Sequence, residues 1–281
     1  MEKALHITKI KNLTYFQKGS YDRIYWGAEF CQNLIPSIRE TEEIVRFAKQ
    51  QSLTLTFMTP FVTENGLKNL GKIFSWLRHK KINCEIVVND WGVLEFVHRT
   101  FGKYFMLNLG RLLVRQQRDP AMKRVLEKQL PFPIKRKDGK IVIFVHQPPS
   151  RQYQQGIRAT YINSSLLQNF LSTFGIRRIE LNNTLQGLNL TGIRFKKSLY
   201  TPYVNICTTR FCPMESRFQK TYRINVCRRE CQKYYDILRC KHIPKLIYKR
   251  GNTTFYKNSL DIKEISKSEI DRIVFQPEMP F

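Results

Sequence analysis

The sequence predicts an α/β fold of TIM-like (β/α) barrel type, incomplete or irregular in its helical shell and carrying an inserted loop or hairpin. Three observations predict it. Short β-rich apolar runs alternate with stretches whose apolar residues recur at helical spacing. Polar, turn-prone residues gather where each run ends, as they do along the ligand-binding rim of such barrels. The chain has 281 residues, 42% of them apolar, enough to build a large core without staples. A single domain spanning residues 1–281 follows.

The first strand expected is Asp22 to Trp26, and the second Leu53 to Met58. A helix then places Leu67, Leu70, Ile73, Phe74 and Leu77 on one face and leads to a strand from Cys84 to Val88. Later strands are expected at Ile176 to Leu181, Tyr203 to Cys207, Leu246 to Lys249 and Asp271 to Phe275. The remaining helices are Thr41 to Gln50, Gly92 to Thr100, Leu166 to Phe174 and Val226 to Leu238. Ser164 or Ser165 caps the third of these, with Gly175 just beyond its end. Residues 131–161 differ from the rest: four prolines and the turn Lys135-Arg136-Lys137-Asp138-Gly139-Lys140 precede and follow a short apolar run. They read as an inserted hairpin or mobile loop.

The strand ends supply the candidate site. They are Gly27 to Cys31, Thr59-Pro60, Asn89-Asp90-Trp91-Gly92, Asn182-Asn183 and Arg250-Gly251-Asn252-Thr253. Singly, each is also an ordinary turn. Asn89, Asp90, Glu180, Asn182 and Asn252 are candidates for orienting a substrate, and Asp90 serves equally as a helix cap. Arg111, Arg115 and Arg118 are spaced to share one helix face, either forking onto carboxylates or phosphates or forming a solvated basic face.

Forty-eight Lys and Arg against 22 Asp and Glu give a net charge of +26. Such an excess attracts nucleic acid, acidic surfaces or small polycarboxylates, or else is a compositional bias spread over solvated faces. No apolar run reaches the roughly 20 residues of a membrane-spanning helix. The amino terminus lacks a secretory pattern, so a reducing, cytoplasmic setting is expected for the seven cysteines. Five of them, Cys207, Cys212, Cys227, Cys231 and Cys240, fall in the basic stretch from Asn205 to Arg250. Cys227 and Cys231 sit one turn apart on the expected helix. Converging thiolates of this kind hold zinc or an iron–sulfur cluster, and spacing alone does not choose between them. Cys84, inside a strand, reads as a small buried hydrophobe.

Proteolysis gains no support from motifs: there is neither a Gly-x-Ser-x-Gly elbow nor a His-Glu-x-x-His helix. His6, His79, His98, His146 and His242 show no mutual ligating spacing.

Several segments together resemble the collagenase-like peptidase U32 family. They are Tyr25-Trp26-Gly27-Ala28-Glu29-Phe30-Cys31-Gln32, Thr59-Pro60-Phe61-Val62-Thr63 and Val87-Val88-Asn89-Asp90-Trp91-Gly92-Val93-Leu94. Gly110-Arg111-Leu112-Leu113, Glu180-Leu181-Asn182-Asn183, Cys212…Cys227…Cys231 and Arg250 to Tyr256 continue the pattern. Some members of that family bind a 4Fe-4S cluster and support oxygen-independent hydroxylation of ubiquinone precursors or RNA bases, with prephenate as oxygen source. The resemblance implies Cys31, Cys212, Cys227 and Cys231 as ligands. Cys207, five positions before Cys212, is a substitute for it, and Cys240 is a reserve. It also implies an oxygen-independent hydroxylase or a subunit of one, an anionic small molecule such as prephenate on the arginines, and a protein partner from the same family. Three functions follow as expectations: cluster-dependent redox chemistry on a small-molecule or quinone-precursor substrate; action on RNA bases, or peptidase activity; and a non-catalytic scaffold with a structural metal such as zinc.

Overall fold

Buried parallel strands need crossovers that cover both faces of the sheet, and the chain meets that need by closing the sheet on itself. In the computed structural model, described for all residues except 128–130, 146, 220–225, 242 and 261–268, eight strands form a closed parallel barrel. In chain order they are β1 (Glu2–Ile7), β2 (Arg23–Trp26), β3 (Thr54–Met58), β4 (Glu85–Val88), β5 (Met106–Leu109), β8 (Ile176–Asn182), β9 (Lys196–Thr201) and β14 (Arg272–Phe275). The barrel closes by pairing β1 with β14, Glu2 opposite Arg272 and Ala4 opposite Val274. All eight carboxyl ends therefore face one mouth.

Three long helices pack outside. In α1 (Ile38–Gln50), Thr41, Ile44, Val45 and Ala48 form the buried stripe. Ser37 accepts from the Glu40 amide while the Glu40 carboxylate accepts from the Ser37 amide, a complete capping box. α2 (Glu64–His79) buries Leu70, Ile73, Phe74 and Leu77. α3 (Trp91–Phe101) buries Val93, Leu94, Val97 and Phe101, and Asp90 caps it by accepting from the Gly92 and Val93 amides. These faces meet the outward strand residues Leu5, Ile7, Ile24, Trp26, Phe57 and Ile86 in one continuous core. Cys84 belongs to that core, 2% exposed.

The crossover from β5 to β8 carries α4 (Arg111–Val114), α5 (Met122–Leu126), the antiparallel hairpin of β6 (Phe132–Lys135) and β7 (Ile141–Phe144), α6 (Arg151–Arg158) and α7 (Ser165–Thr173). Both faces of the hairpin are exposed, Ile141 at 70% and Ile143 at 67%. Between β9 and β14 lies a second, antiparallel sheet ordered β10 (Tyr203–Thr208), β13 (Thr253–Lys257), β12 (Ile247–Arg250) and β11 (Asp236–Leu238). The strands expected near Tyr203 and Leu246 thus belong to this sheet and not to the barrel. Arg250 to Thr253 is a hairpin turn, not a strand-end loop on the barrel rim. Among the described residues no helix is long and apolar enough to cross a membrane.

Two expected helices are corrected. Residues 226–229 are irregular, Glu230–Gln232 is a single short 3-10 turn, and Asp236–Leu238 is a strand. Arg229 in the left-handed region (φ 57°) breaks the helix, and the following residues pair instead with β12. Likewise Arg111, Arg115 and Arg118 do not share a helix face. α4 ends after Val114 because Arg115 is left-handed (φ 49°).

The barrel interior is unusually polar. Arg272 donates to Glu85 (Nη1–Oε2, 2.6 Å) and to Glu2 (Nε–Oε2, 2.6 Å), and Arg23 donates to Glu2 (2.6 Å). Above them sit Ala4, Tyr25, Met58, Val87, Tyr200 and Val274. Gly27, just past β2, holds φ +122°, and a Cβ there would lie 2.7 Å from the Met58 carbonyl oxygen. Gly27→Ala is accordingly expected to cost about 1–3 kcal/mol, read as a lowered urea midpoint. An unchanged midpoint would show that the backbone yields freely at this position.

Candidate functional site

The mouth of the barrel is closed by a wholly buried ion pair. Glu29 follows β2 and Arg111 follows β5, and both side chains are 0% exposed. Arg111 donates through Nε to Glu29 Oε1 (2.9 Å) and through Nη2 to Oε2 (2.5 Å), the bidentate fork that guanidinium and carboxylate geometry favours. Its Nη1 donates to Asn182 Oδ1 (3.1 Å) and to the Tyr203 carbonyl (3.0 Å). The guanidinium lies over the Tyr200 ring at 4.0 Å. His6 sits beside this pair, and burial pushes its pKa down to about 4, keeping it neutral.

A dry aromatic layer covers the pair. Phe30 stacks on Phe281 (5.9 Å between centroids) and meets Phe255 edge-on (5.3 Å). Tyr203, Met279 and Cys231 complete the cluster, with Cys31 packed against it.

Cys31 and Cys231 pack on this layer, and Cys212 and Cys227 lie near them. Cys31 begins the 3-10 turn Gln32–Leu34, Cys212 begins the turn Pro213–Ser216, and Cys231 lies in the turn Glu230–Gln232. Burial pushes the Cys31 thiol up to about 12, and charge on Cys231, Cys227 and Cys212 pushes it the same way. Cys231 rises to about 11 through burial and then through Cys212 and Cys227. Cys212 is also raised, chiefly by burial, with Cys227 contributing. Cys31 and the three late cysteines therefore lie within electrostatic reach of one another. Among the described residues, no three His, Cys, Asp or Glu side chains stand at closed metal-ligand spacing. As a donor set the four fit a thiophilic centre: all are sulfur, all are free thiols, and sulfur ligands of this number suit zinc or an iron–sulfur cluster.

Two cations flank the group. Arg250 donates to the Cys231 carbonyl (2.7 Å) and fixes its turn. Lys9, half-buried after β1, feels Cys231 and Arg250. Cys207 is exposed on β10 with its sulfur 3.2 Å from Thr254 Oγ1, and Cys240 is exposed beyond β11.

Most of the other candidate residues are engaged by the protein itself. Asn89 donates to the Thr59 carbonyl (2.9 Å) and accepts from the Leu112 amide (3.0 Å). Asp90 caps α3 and also accepts from the Val62 amide. Glu180 lies deep in the barrel, accepting from Tyr25 (3.2 Å) and Asn108 (3.4 Å). Asn182 holds Arg111. Asn252 ties the Phe30 carbonyl (2.8 Å) to that of Thr209 (2.7 Å). Arg115 is exposed over the Tyr161 ring. Arg118 is half-buried, with its Nη1 unpaired among the described residues, and burial first pulls its pKa down, to about 10. His146 and His242 lie outside the described residues.

Glu29, Lys9 and Asn205 were not singled out by the sequence. Asn205, wholly buried on β10, has neither amide atom of its side chain paired within the described protein. A polar residue in a strand gives no sequence signal of that kind.

No protein-family model and no curated protein matches the chain. Among solved structures, the U32 peptidase Mk0906 is similar across 99% of this chain and 93% of that one, at 11% identity and a TM-score of 0.48. An immunomodulatory chitinase from Trichuris suis is similar across 98% and 91%, at 9% identity and a TM-score of 0.34. At such identities the functional case rests on the chain's own residues.

Proposed function

We propose that the chain is an iron–sulfur protein in which Cys31, Cys212, Cys227 and Cys231 hold a 4Fe-4S cluster over the barrel mouth. Its proposed role is oxygen-independent hydroxylation, or related redox chemistry, on a small-molecule or quinone-precursor substrate. The observation that carries the reading is that one early and three late thiols lie within electrostatic reach of one another, with Cys31 and Cys231 packed on the aromatic layer. The sequence resemblance to the iron–sulfur members of the U32 family supports the same four residues.

When bound, such a cluster supplies one-electron transfer. The chain's own contribution is to hold and shield it. Phe30, Phe255 and Phe281 exclude water on the barrel side. Arg250 orders the Cys231 turn, and Arg250 and Lys9 offset thiolate charge. A low-polarity floor beneath the sulfurs and cations at their edge are what tune a cluster's potential.

Reconstituting the protein anaerobically with ferrous iron and sulfide is expected to give brown protein that bleaches on reduction, with about four irons per chain. Cys31→Ser and Cys227→Ser should each lose most of that iron, while Cys207→Ser and Cys240→Ser keep it. Colourless wild-type protein, or full iron in the Cys31→Ser variant, defeats the assignment. Zinc bound in place of iron would point to the structural-metal scaffold.

A further inference from the structure

Beside Cys227 opens a cleft of about 1060 Å³, between the end of β1, the Gln32–Leu34 turn, the start of α1, one side of α2 and the segment 226–232. Four cations line it, Lys9, Arg39, Lys72 and Arg229, against a single carboxylate, Glu40. That carboxylate is occupied by the capping box of α1, accepting from the Ser37 amide and hydroxyl at 2.7 Å each. Apolar side chains, including Ile35, Ile73 and Val226, fill the spaces between the charges.

We propose that this cleft binds a small amphipathic anion: an apolar, ring-sized body bearing a carboxylate or phosphate. The inference goes beyond the cluster reading and stands without it.

Several features carry it. The volume is just above the usual span of small-molecule sites, about 300–1,000 Å³, and the cations surround one concavity instead of forming the extended track that a nucleic-acid backbone requires. Lys72 and Arg229 have no ion-pair partner among the described residues, whereas Arg39 lies 3.7 Å from Glu43. Lys9 faces the same concavity from the end of β1, and the carboxylate that acts on it, Glu278, is already engaged by Asn12. Arg229 presents its side chain to the cleft from a left-handed backbone (φ 57°), a local strain of the sort that persists at ligand-binding positions.

The test is fluorescence titration with naphthoate and naphthyl phosphate, with naphthamide as the uncharged control. Saturable binding of either anion, and little of the amide, is expected. The stronger of the two identifies the headgroup. The Lys72→Glu/Arg229→Glu variant should weaken binding about tenfold or more, while Lys135→Glu/Lys137→Glu, an equal charge change on the distant hairpin, leaves it unaltered. Lys72→Gln gives the same direction at smaller size if the double reversal does not fold. Equal weakening by both reversals, equal affinity for the amide, or displacement only by single-stranded RNA overturns the proposal. Repeating the titration on Cys227→Ser/Cys231→Ser separates the two readings, because the cleft cations remain when the proposed cluster ligands are gone.

Discussion

Arg111→Met is expected to remove about 3–5 kcal/mol of unfolding free energy, the cost of leaving a buried charge without its partner. Glu29 would retain no counter-charge in a pocket where neither side chain meets solvent, and Asn182 and the Tyr203 carbonyl would lose their donor. Equilibrium unfolding in urea measures the loss as a lower midpoint at unchanged slope. Glu29→Gln should be destabilising for the mirror-image reason. The double variant Arg111→Met/Glu29→Met should recover much of the loss, because an apolar pair of similar volume carries no desolvation penalty. An Arg111→Met protein as stable as the wild type would mean that the fork is not a structural tie, and would restore Arg111 as a group free for substrate.

Glu180→Gln should stabilise the protein at alkaline pH and do little in mild acid. Burial pushes the Glu180 carboxyl from 4.5 up to about 7, opposed by Arg272 and Arg178 and assisted by Glu85. Because the folded chain holds this proton more tightly than the unfolded chain, its contribution is complete below the ordinary pKa. It is lost as pH rises through about 7. Glutamine has no proton to lose. The variant's gain should therefore grow from near zero at about pH 4.5 to about 3 kcal/mol at about pH 8, at 1.36 kcal/mol per pKa unit. His6 works in the opposite sense, its stabilisation lost as pH falls from 6.5 through about 4, but it does so equally in both proteins and cancels. A gain independent of pH would show that Glu180 is ionised throughout.

Where the barrel's strands are apolar on both faces, the sequence announces them. Ile86 to Val88 is of this kind, Leu55 to Met58 departs from it only at Thr56, and the stripe Leu70, Ile73, Phe74, Leu77 announces α2 equally well. β1 and β9 escaped because their inward positions mix Glu2, His6 and Ser198 with Ala4 and Tyr200, so their alternation mimics a solvent-facing strand. Only the closed barrel reveals that those groups satisfy one another. The Cys227–Cys231 spacing imitates a helix turn, yet the pairing of Asp236–Leu238 with β12 and the left-handed Arg229 override it. Cys31 enters through the family resemblance, its place just past a strand end being consistent with it but not enough to single it out. Lys9 was not legible: one lysine among 48 basic residues gains meaning only when folding sets it beside Cys231.

The seam between β1 and β14 has a consequence for biosynthesis. Strand β1 finds one of its two neighbours only when residues 272–275 have been made, so the ring stays open until the last of its eight strands is complete. Until then Glu2 and Glu85 lack the guanidinium of Arg272. Pairings so distant along the chain slow the final assembly, and the nascent half-ring exposes an unpaired edge to chaperones and to its own kind.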